Sequence, residues 1–216
     1  MVKVKICGIT MAEDALAAAQ YGADAVGFIF YRRSLRWIAP ERAREIIEKL
    51  PPFITAVGVF VDEDPEVIRK TMLTCGAGVV QLHGDEPPSA CAVWPRAIKA
   101  FRIKDAGDIG RIRQYQAAAA DVAAAYLLDG YSEKEYGGTG KSFNWELARG
   151  VLNSGPAGRL ILSGGLTPDN VAEAVGTAVP YAVDTSSGVE ISKGIKDHEK
   201  IKLFIERAKG AVLLRG

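Results

Sequence analysis

A cysteine ends the first apolar run of the chain, in the segment KICGIT at residues 5–10. Cys7 is followed by a glycine and then by a segment suited to begin a helix. In barrels of alternating strands and helices, the C-terminal ends of the strands carry the chemistry. A thiol at such a position is either a buried filler or a base or nucleophile. The other strand-end residues of this chain favour the base.

Two aspartates close later apolar runs, Asp129 in YLLD at residues 126–129 and Asp184 in AVD at residues 182–184. A carboxylate at the end of an apolar strand is costly to bury, so a neighbouring loop caps it or catalysis uses it. Neither aspartate alone decides between these roles. Lys5 shares the inward face of its strand with Cys7, since side chains alternate. We expect Lys5 to form a structural ion pair inside the barrel.

Glycine-rich and serine-rich loops follow the last two apolar runs, with SGGL at residues 163–166 and SSGVE at residues 186–190. In (β/α)8 barrels the loops after strands seven and eight form a common phosphate site. Glycines let backbone amides approach phosphate oxygens, and serine hydroxyls add donors. Two such loops at adjacent strand ends predict a phosphate-binding site.

A third glycine cluster, YGGTGKS at residues 136–142, ends like a Walker A motif. That motif requires a glycine five positions before Gly140, and Glu135 stands there, which argues against nucleotide hydrolysis. A lid over the site, formed by the Gly137–Gly140 loop after the sixth strand, fits better. The GxGxxG spacing of dinucleotide-binding folds and a GxSxG elbow at Ser163 are both absent from the sequence.

Arginines crowd the loop after the second apolar run, at Arg32, Arg33 and Arg36. Their planar forks suit a carboxylate or a phosphate. The neighbouring Trp37 makes Arg36 the best functional candidate. His83 stands at the end of the fourth run, where wall-lining or hydrogen bonding is favoured over a direct catalytic role.

Eight apolar runs alternate with helically spaced segments, which predicts a parallel sheet covered on its faces. About 27 residues per unit are enough for a closed (β/α)8 TIM barrel occupying residues 1–216 as one domain. The alternative is an open doubly wound sheet. The predicted strands are Val2–Cys7, Ala25–Phe30, Ile54–Val61, Gly78–Leu82, Ala97–Phe101, Ala124–Asp129, Arg159–Leu162 and Tyr181–Asp184.

The predicted helices begin at recognisable start signals. Pro40, Pro65 and Pro168 suit a first helical turn, and Asp64 and Thr167 are candidate N-caps. The helices are expected at Ala12–Tyr21, Pro40–Leu50, Pro65–Cys75, Pro87–Val93, Ile109–Ala120, Asn144–Leu152, Pro168–Thr177 and Asp197–Ala208.

Composition bounds the partners and the compartment. The net charge of +1 gives no sign of a nucleic-acid or membrane-surface partner. No apolar signal core follows the first residues and no run approaches membrane-spanning length, so a cytoplasmic protein is expected. Three cysteines without a CxxC pair argue against a disulfide framework. Two histidines, His83 and His198, lack zinc-site spacing, and no metal is expected.

The motifs together resemble the phosphoribosylanthranilate isomerase family, and they occur in the family's order over nearly the whole chain. The chain has Asn144 and Thr185 where the family often has aspartate and valine. The matching segments are KICGIT at 5–10, GFIF at 27–30 with SLR at 34–36, VGVFV at 57–61, VQLHG at 80–84, LD at 128–129, GGTG at 137–140 with FNW at 143–145, LSGGL at 162–166 and VDTSSGVE at 183–190.

The resemblance implies an Amadori rearrangement of N-(5-phosphoribosyl)anthranilate in tryptophan biosynthesis, giving 1-(2-carboxyphenylamino)-1-deoxyribulose 5-phosphate. The substrate is a phosphosugar carrying an anthranilate group, and the reaction, an internal redox shift, needs no cofactor or metal. The implied roles are Cys7 as general base, Asp129 as general acid, Arg36 as the partner of the anthranilate carboxylate, His83 and Asp184 as polar residues of the substrate site, and Gly164, Gly165, Ser187 and Gly188 as phosphate ligands.

Three other readings compete with this one. A histidine-pathway isomerase performs the same rearrangement with an aspartate at the end of strand one and two phosphate sites, whereas Cys7 stands there and one phosphate site is evident. Indoleglycerol-phosphate synthase calls for catalytic lysine and glutamate at early strand ends. A non-catalytic phosphosugar-binding barrel has no need of Cys7 together with Asp129.

Overall fold

The strands form a closed parallel barrel in the computed structural model, which describes residues 1–103, 106–118, 123–130 and 159–211. The first strand pairs with the eighth, from Lys3 opposite Ala182 to Ile6 opposite Thr185. This closure confirms the (β/α)8 prediction and excludes the open doubly wound sheet. In chain order the strands are β1 (Lys3–Ile6), β2 (Ala25–Ile29), β3 (Thr55–Phe60), β4 (Val79–Leu82), β5 (Ala97–Ile103), β6 (Ala125–Gly130), β7 (Arg159–Ser163) and β8 (Ala182–Thr185).

Helices of the described residues surround this barrel. Every predicted strand, and every predicted helix that falls in the described ranges, overlaps an observed one. The helix predicted at Asn144–Leu152 and the lid predicted at Gly137–Gly140 lie outside those ranges. The helices are α1 (Ala12–Gln20), α2 (Pro40–Ile47), α3 (Pro65–Cys75), α4 (Pro88–Ala92), α5 (Ala106–Ala118), α6 (Val171–Ala178) and α7 (His198–Gly210).

The two predicted N-caps differ in outcome. Asp64 caps α3, because its side chain accepts hydrogen bonds from the amides of Glu66 and Val67. The prediction for Thr167 is wrong, since α6 begins only at Val171. Thr167 Oγ1 instead accepts from the amide of Asp169 at 3.2 Å, so it stabilises the turn that precedes the helix.

Apolar side chains along the strands separate into an inner and an outer cluster. In β6, Ala125 and Leu127 face the barrel interior, whereas Tyr126 and Leu128 pack against the helices. The same alternation turns Lys5 inward. Eight side chains make up the inner cluster: Val57, Val79, Ile98, Ala100, Ala125, Leu127, Ile161 and Ala182. The interior is therefore apolar toward the N-terminal ends of the strands and becomes polar toward their C-terminal ends.

A short antiparallel hairpin, β9 (Glu190–Ser192) with β10 (Ile195–Lys196), follows β8 after one 3-10 turn at Ser187–Val189. Strands of two and three residues are too short for a periodic sequence signal, so this hairpin is not predicted. It brings two buried charged side chains, Glu190 and Lys196, to the barrel mouth. Among the described residues, no helix combines the length and the apolar character that a bilayer crossing requires.

Candidate active site

Cys7 lies directly beyond β1 and is 6% exposed. Its amide donates to the carbonyl of Thr185 at 2.8 Å, which fixes the thiol against the end of β8. The neighbouring strand has Gly27 beside it, where a Cβ would lie 2.8 Å from Cys7 Sγ and 3.1 Å from Lys5 Nζ. The absence of a side chain at Gly27 therefore leaves room for both the thiol and the ammonium group.

Lys5 forms a buried ion pair inside the barrel, as the sequence predicted. Its Nζ lies 2.9 Å from Asp184 Oδ1, and the two side chains are 4% and 6% exposed. Ser163 Oγ donates to the other carboxylate oxygen of Asp184 at 3.0 Å. Both oxygens of Asp184 thus have partners from neighbouring strands, and the network continues from Lys5 to Cys7.

Burial and the neighbouring charges shift the pKa of Cys7 in opposite directions. Burial raises the pKa of the Cys7 thiol above its ordinary value, whereas the charge and hydrogen bond of Lys5 lower it and the charge of Asp184 raises it further. Burial alone lowers the pKa of Lys5, but Asp184 and Cys7 hold it above its ordinary value. Lys5 is therefore charged, and it is the group that most favours a thiolate at Cys7.

Asp129 lies at the end of β6, three strands from β1 through β8 and β7. Its Oδ2 is 3.2 Å from His83 Nε2, and the side chains are 32% and 19% exposed for Asp129 and His83. Gln81, fully buried on β4 two residues before His83, points its Nε2 at His83 Nδ1 at 3.0 Å. An amide that donates to Nδ1 leaves the imidazole proton on Nε2, which then donates to Asp129.

Arg36 is held by a bidentate ion pair with Glu190 of the β9–β10 hairpin. Its Nε and Nη2 atoms lie 2.8 and 2.7 Å from the two carboxylate oxygens. Lys196 Nζ binds the same carboxylate at 2.8 Å. Gly8 makes this approach possible, because a Cβ there would lie 2.6 Å from Arg36 Cδ.

One carboxylate therefore faces two cations. Burial raises the pKa of Glu190, but the hydrogen bonds and charges of Arg36 and Lys196 outweigh it and keep the pKa below its ordinary value. The cluster carries a net positive charge next to the barrel mouth, which suits an anionic group of a ligand. Trp37, predicted to mark Arg36, instead lies under the Arg32 guanidinium at 5.2 Å from the ring centre.

The two loops predicted to bind phosphate lie against each other. A Cβ on Gly188 would lie 1.9 Å from the carbonyl oxygen of Leu166, and the Thr185 hydroxyl donates to that same oxygen at 2.7 Å. Gly164 and Gly165 have φ of 86° and 70°, a conformation that favours glycine. Ser187 is exposed, and the two loops are in contact at the ends of β7 and β8.

A cavity of about 240 Å³ opens beside His83, between β5 and α5. Asp62 and Arg102 line it, and Lys99 lines it from the side of α5, where its Nζ lies 5.9 Å from the centre of the Tyr115 ring. Arg102 is the register partner of Asp129 on the adjacent strand. This charged cavity therefore lies between the barrel wall and α5, next to the His83–Asp129 contact.

Four residues of this site were not singled out from the sequence: Gln81, Arg102, Glu190 and Lys196. Alternation along β4 and β5 offers a signal for the first two, because Gln81 and Arg102 lie two residues from the inward positions Val79 and Ala100. Glu190 and Lys196 carry no comparable signal, since their positions depend on the short hairpin.

Comparison with known proteins gives a consistent result. The family model described as N-(5'phosphoribosyl)anthranilate (PRA) isomerase matches residues 4–207. A relative from Geobacter sulfurreducens, N-(5'-phosphoribosyl)anthranilate isomerase, is 54% identical over 97% of this chain and 100% of its own. A relative of the same name from Trichlorobacter lovleyi is 52% identical over 98% and 100%.

Solved structures give the same answer. The crystal structure of phosphoribosyl anthranilate isomerase from Thermotoga maritima superposes with a TM-score of 0.88 at 47% identity, covering 97% of this chain and 100% of the other. A structure of such an isomerase in complex with reduced 1-(o-carboxyphenylamino)-1-deoxyribulose 5-phosphate has a TM-score of 0.85 at 43% identity, with coverage of 97% and 100%.

Proposed function

Because the chain belongs to the N-(5'-phosphoribosyl)anthranilate isomerase family of tryptophan biosynthesis, we propose that it rearranges N-(5-phosphoribosyl)anthranilate with Cys7 as base and Asp129 as acid. The observation that carries this proposal is the pair itself. A thiol and a carboxyl group lie at the C-terminal ends of β1 and β6, on the face of the barrel where chemistry takes place.

The first step opens the sugar ring. Asp129 donates a proton to the ring oxygen as the bond from that oxygen to C1 breaks, and the anilino nitrogen supplies the electron pair that forms the iminium. His83, 3.2 Å from Oδ2, orients the carboxyl group and leaves Oδ1 to face the substrate. The Asp129 side chain is partly exposed, so the substrate can reach it.

The second step moves hydrogen from the sugar. The Cys7 thiolate takes the proton from C2, so an S–H bond forms while the C2–H electrons make the C1–C2 double bond and neutralise the iminium nitrogen. The resulting enol becomes the ketone when C1 takes a proton from the Cys7 thiol and the C2 hydroxyl passes its proton to the Asp129 carboxylate, which restores both groups. Each proton transfer uses a group already present in the chain, so the reaction balances without an external oxidant or reductant.

Binding is assigned to three groups of side chains and loops. The cationic Arg36 cluster suits the anthranilate carboxylate. The surface formed by Gly164, Gly165, Ser187 and Gly188 suits the phosphate, because glycine backbone amides can approach its oxygens. Asp184 supports the substrate site indirectly, because its carboxylate holds the side chains of Lys5 and Ser163 in place.

The test is steady-state turnover of phosphoribosylanthranilate formed in situ, followed by the loss of its fluorescence. The unaltered chain is expected to consume it, and Cys7→Ala and Asp129→Asn are expected to lower kcat by about 10²- to 10⁴-fold. Cys75→Ala is the matched control, since it removes another buried thiol from α3 and is expected to retain turnover.

Two results contradict the proposal. Near-normal kcat in Cys7→Ala or Asp129→Asn removes that residue from its role. An unaltered chain that binds reduced 1-(o-carboxyphenylamino)-1-deoxyribulose 5-phosphate in calorimetry but consumes no substrate is a binding barrel and not an isomerase.

A further inference from the structure

Lys5 forms half of a buried ion pair, yet its surroundings differ from those of a purely structural lysine. Its ammonium group and the Cys7 sulfur both lie over Gly27, within 3.1 and 2.8 Å of the position a Cβ would occupy there. Lys5 therefore faces two acidic groups, the Asp184 carboxylate at 2.9 Å and the Cys7 thiol.

We propose that Lys5 is the positioning residue that makes Cys7 a base, by holding a positive charge against the thiolate, and that Asp184 limits this effect. An opposite charge close to an ionisable group favours the charged form of that group, and the effect is large where water is excluded. The Lys5 side chain is 4% exposed, so water does not screen it. The proposal rests on the role of Cys7 proposed above and names the group that sustains it.

The charges that face Cys7 come from three elements. Lys5 belongs to β1, Asp184 to β8 and Lys196 to β10, and each alters the proton affinity of the thiol through its charge. Lys196 is already bound to Glu190 at 2.8 Å, whereas Lys5 shares its charge between Asp184 and the sulfur. The proton affinity of Cys7 accordingly depends on how Asp184 and the thiolate share Lys5.

Substitutions of Lys5 and of Asp184 are therefore expected to change the stability of the Cys7 thiolate in opposite directions. Lys5→Met removes the cation and destabilises the thiolate. Asp184→Asn removes the competing anion and leaves Lys5 with the thiolate as its remaining anionic partner. A pair with a purely structural role gives the same sign for both variants, because either one disturbs the packing around Cys7.

The test is the rate of Cys7 alkylation by iodoacetamide as a function of pH, assigned to Cys7 by peptide mass spectrometry, because the thiolate is the reactive form. Near neutral pH, Lys5→Met is expected to react about tenfold more slowly and Asp184→Asn faster. The midpoint of the pH profile moves up in the first variant and down in the second. The plateau at high pH reports access to the sulfur and separates a change of exposure from a change of proton affinity.

Lys99→Met is the matched control, because Lys99 is equally buried and paired with Glu86 at 2.7 Å but lies on the outer side of the barrel wall. Its midpoint is expected to equal that of the unaltered chain. If Lys5→Met does not fold, Lys5→Met combined with Asp184→Asn leaves neither charge of the pair and is still expected to raise the midpoint.

Midpoints that move in the same direction for Lys5→Met and Asp184→Asn, or that do not move, overturn the proposal. Because alkylation needs no substrate, this outcome is separate from a failure of the isomerase assignment. If the alkylation midpoints shift as expected but the unaltered chain shows no turnover, the role of Lys5 stands and the isomerase assignment is wrong. If the midpoints do not shift in a chain that turns over substrate, only the role of Lys5 is wrong.

Discussion

The barrel contains two buried lysine–carboxylate pairs with nearly equal geometry and different surroundings. Lys5 and Asp184 are 2.9 Å apart inside the barrel, and Lys99 and Glu86 are 2.7 Å apart on the outer side of its wall. All four side chains are at most 7% exposed. Burial and pairing therefore do not distinguish a chemical role from a structural one.

The two lysines differ in the neighbours that each contacts besides its carboxylate partner. Lys99 Nζ also donates to the carbonyl of Gly84 at 2.7 Å and lies 5.4 Å from the centre of the Phe101 ring. Neither of these groups can exchange a proton near neutral pH. Lys5 instead faces Cys7, which can. We therefore propose a chemical role for Lys5 and a structural one for Lys99, because the remaining neighbour of Lys5 is a titratable group at a strand end.

The largest expected effect comes from closing the space that the inner pair shares with the thiol. A Cβ in Gly27→Ala would lie 3.2 Å from the backbone Cα of Cys7 as well as against Sγ and Nζ, so it displaces both groups. We expect kcat to fall by about 100-fold, the typical cost of a misplacement near 1 Å. Kinetics with a parallel thermal melt of the folded variant measure this loss.

Gly78→Ala is the control for that variant. A Cβ at Gly78 meets no heavy atom within 4 Å, so kcat and Tm should stay at the values of the unaltered chain. A Gly27→Ala variant with full kcat would mean that the positions of Cys7 and Lys5 do not matter, and the contrast between the two pairs would lose its meaning.

A smaller effect is expected from the outer pair, and it concerns stability and acid pH. Burial raises the pKa of Glu86, but the hydrogen bond and charge of Lys99 outweigh burial and keep the pKa below its ordinary value of 4.5. A carboxyl group with a lowered pKa stabilises the fold above its unfolded pKa, and this contribution is lost as the pH falls through the folded pKa.

Glu86→Gln should therefore cost about 3–5 kcal/mol at neutral pH, the usual effect of breaking a buried pair. The difference from the unaltered chain should shrink as the pH falls below the ordinary range of a glutamate. Urea unfolding followed by circular dichroism at several pH values measures it. A difference that is constant with pH would show that the charge of Glu86 does not stabilise the fold.

Much of the fold could be predicted from the sequence because its signals are local. Eight apolar runs separated by helical spacing already specify strands and helices, and Asp64 before Pro65 marks the beginning of α3 correctly. The error at Thr167 arises from a hydrogen bond that residue preferences at a helix start do not encode. Asn170 donates to the carbonyl of Gly165 at 3.0 Å and holds a turn where a helix was expected.

The positions of the candidate site residues could be predicted from the sequence, but their connections could not. Strand-end position and alternation predict where Cys7 and Asp129 lie and that Lys5 forms an ion pair, whereas the catalytic roles of Cys7 and Asp129 stay predictions. The bidentate contact between Arg36 and Glu190 joins residues 154 positions apart through a hairpin of five strand residues, and no local pattern encodes that distance. Likewise, the partition of the Lys5 charge between Asp184 and Cys7 follows from the closure of β1 against β8.

The most direct test of this account compares Lys5→Met with Lys99→Met in the phosphoribosylanthranilate assay, with kcat normalised to folded protein and measured across pH. We predict that kcat of Lys5→Met falls about tenfold near neutral pH, in step with the alkylation rate, and recovers as the pH rises and the thiolate forms again. Lys99→Met should lose stability and keep its kcat per folded molecule. Equal losses of kcat in both variants, or full activity in Lys5→Met, would contradict the claim that the inner pair sustains the base.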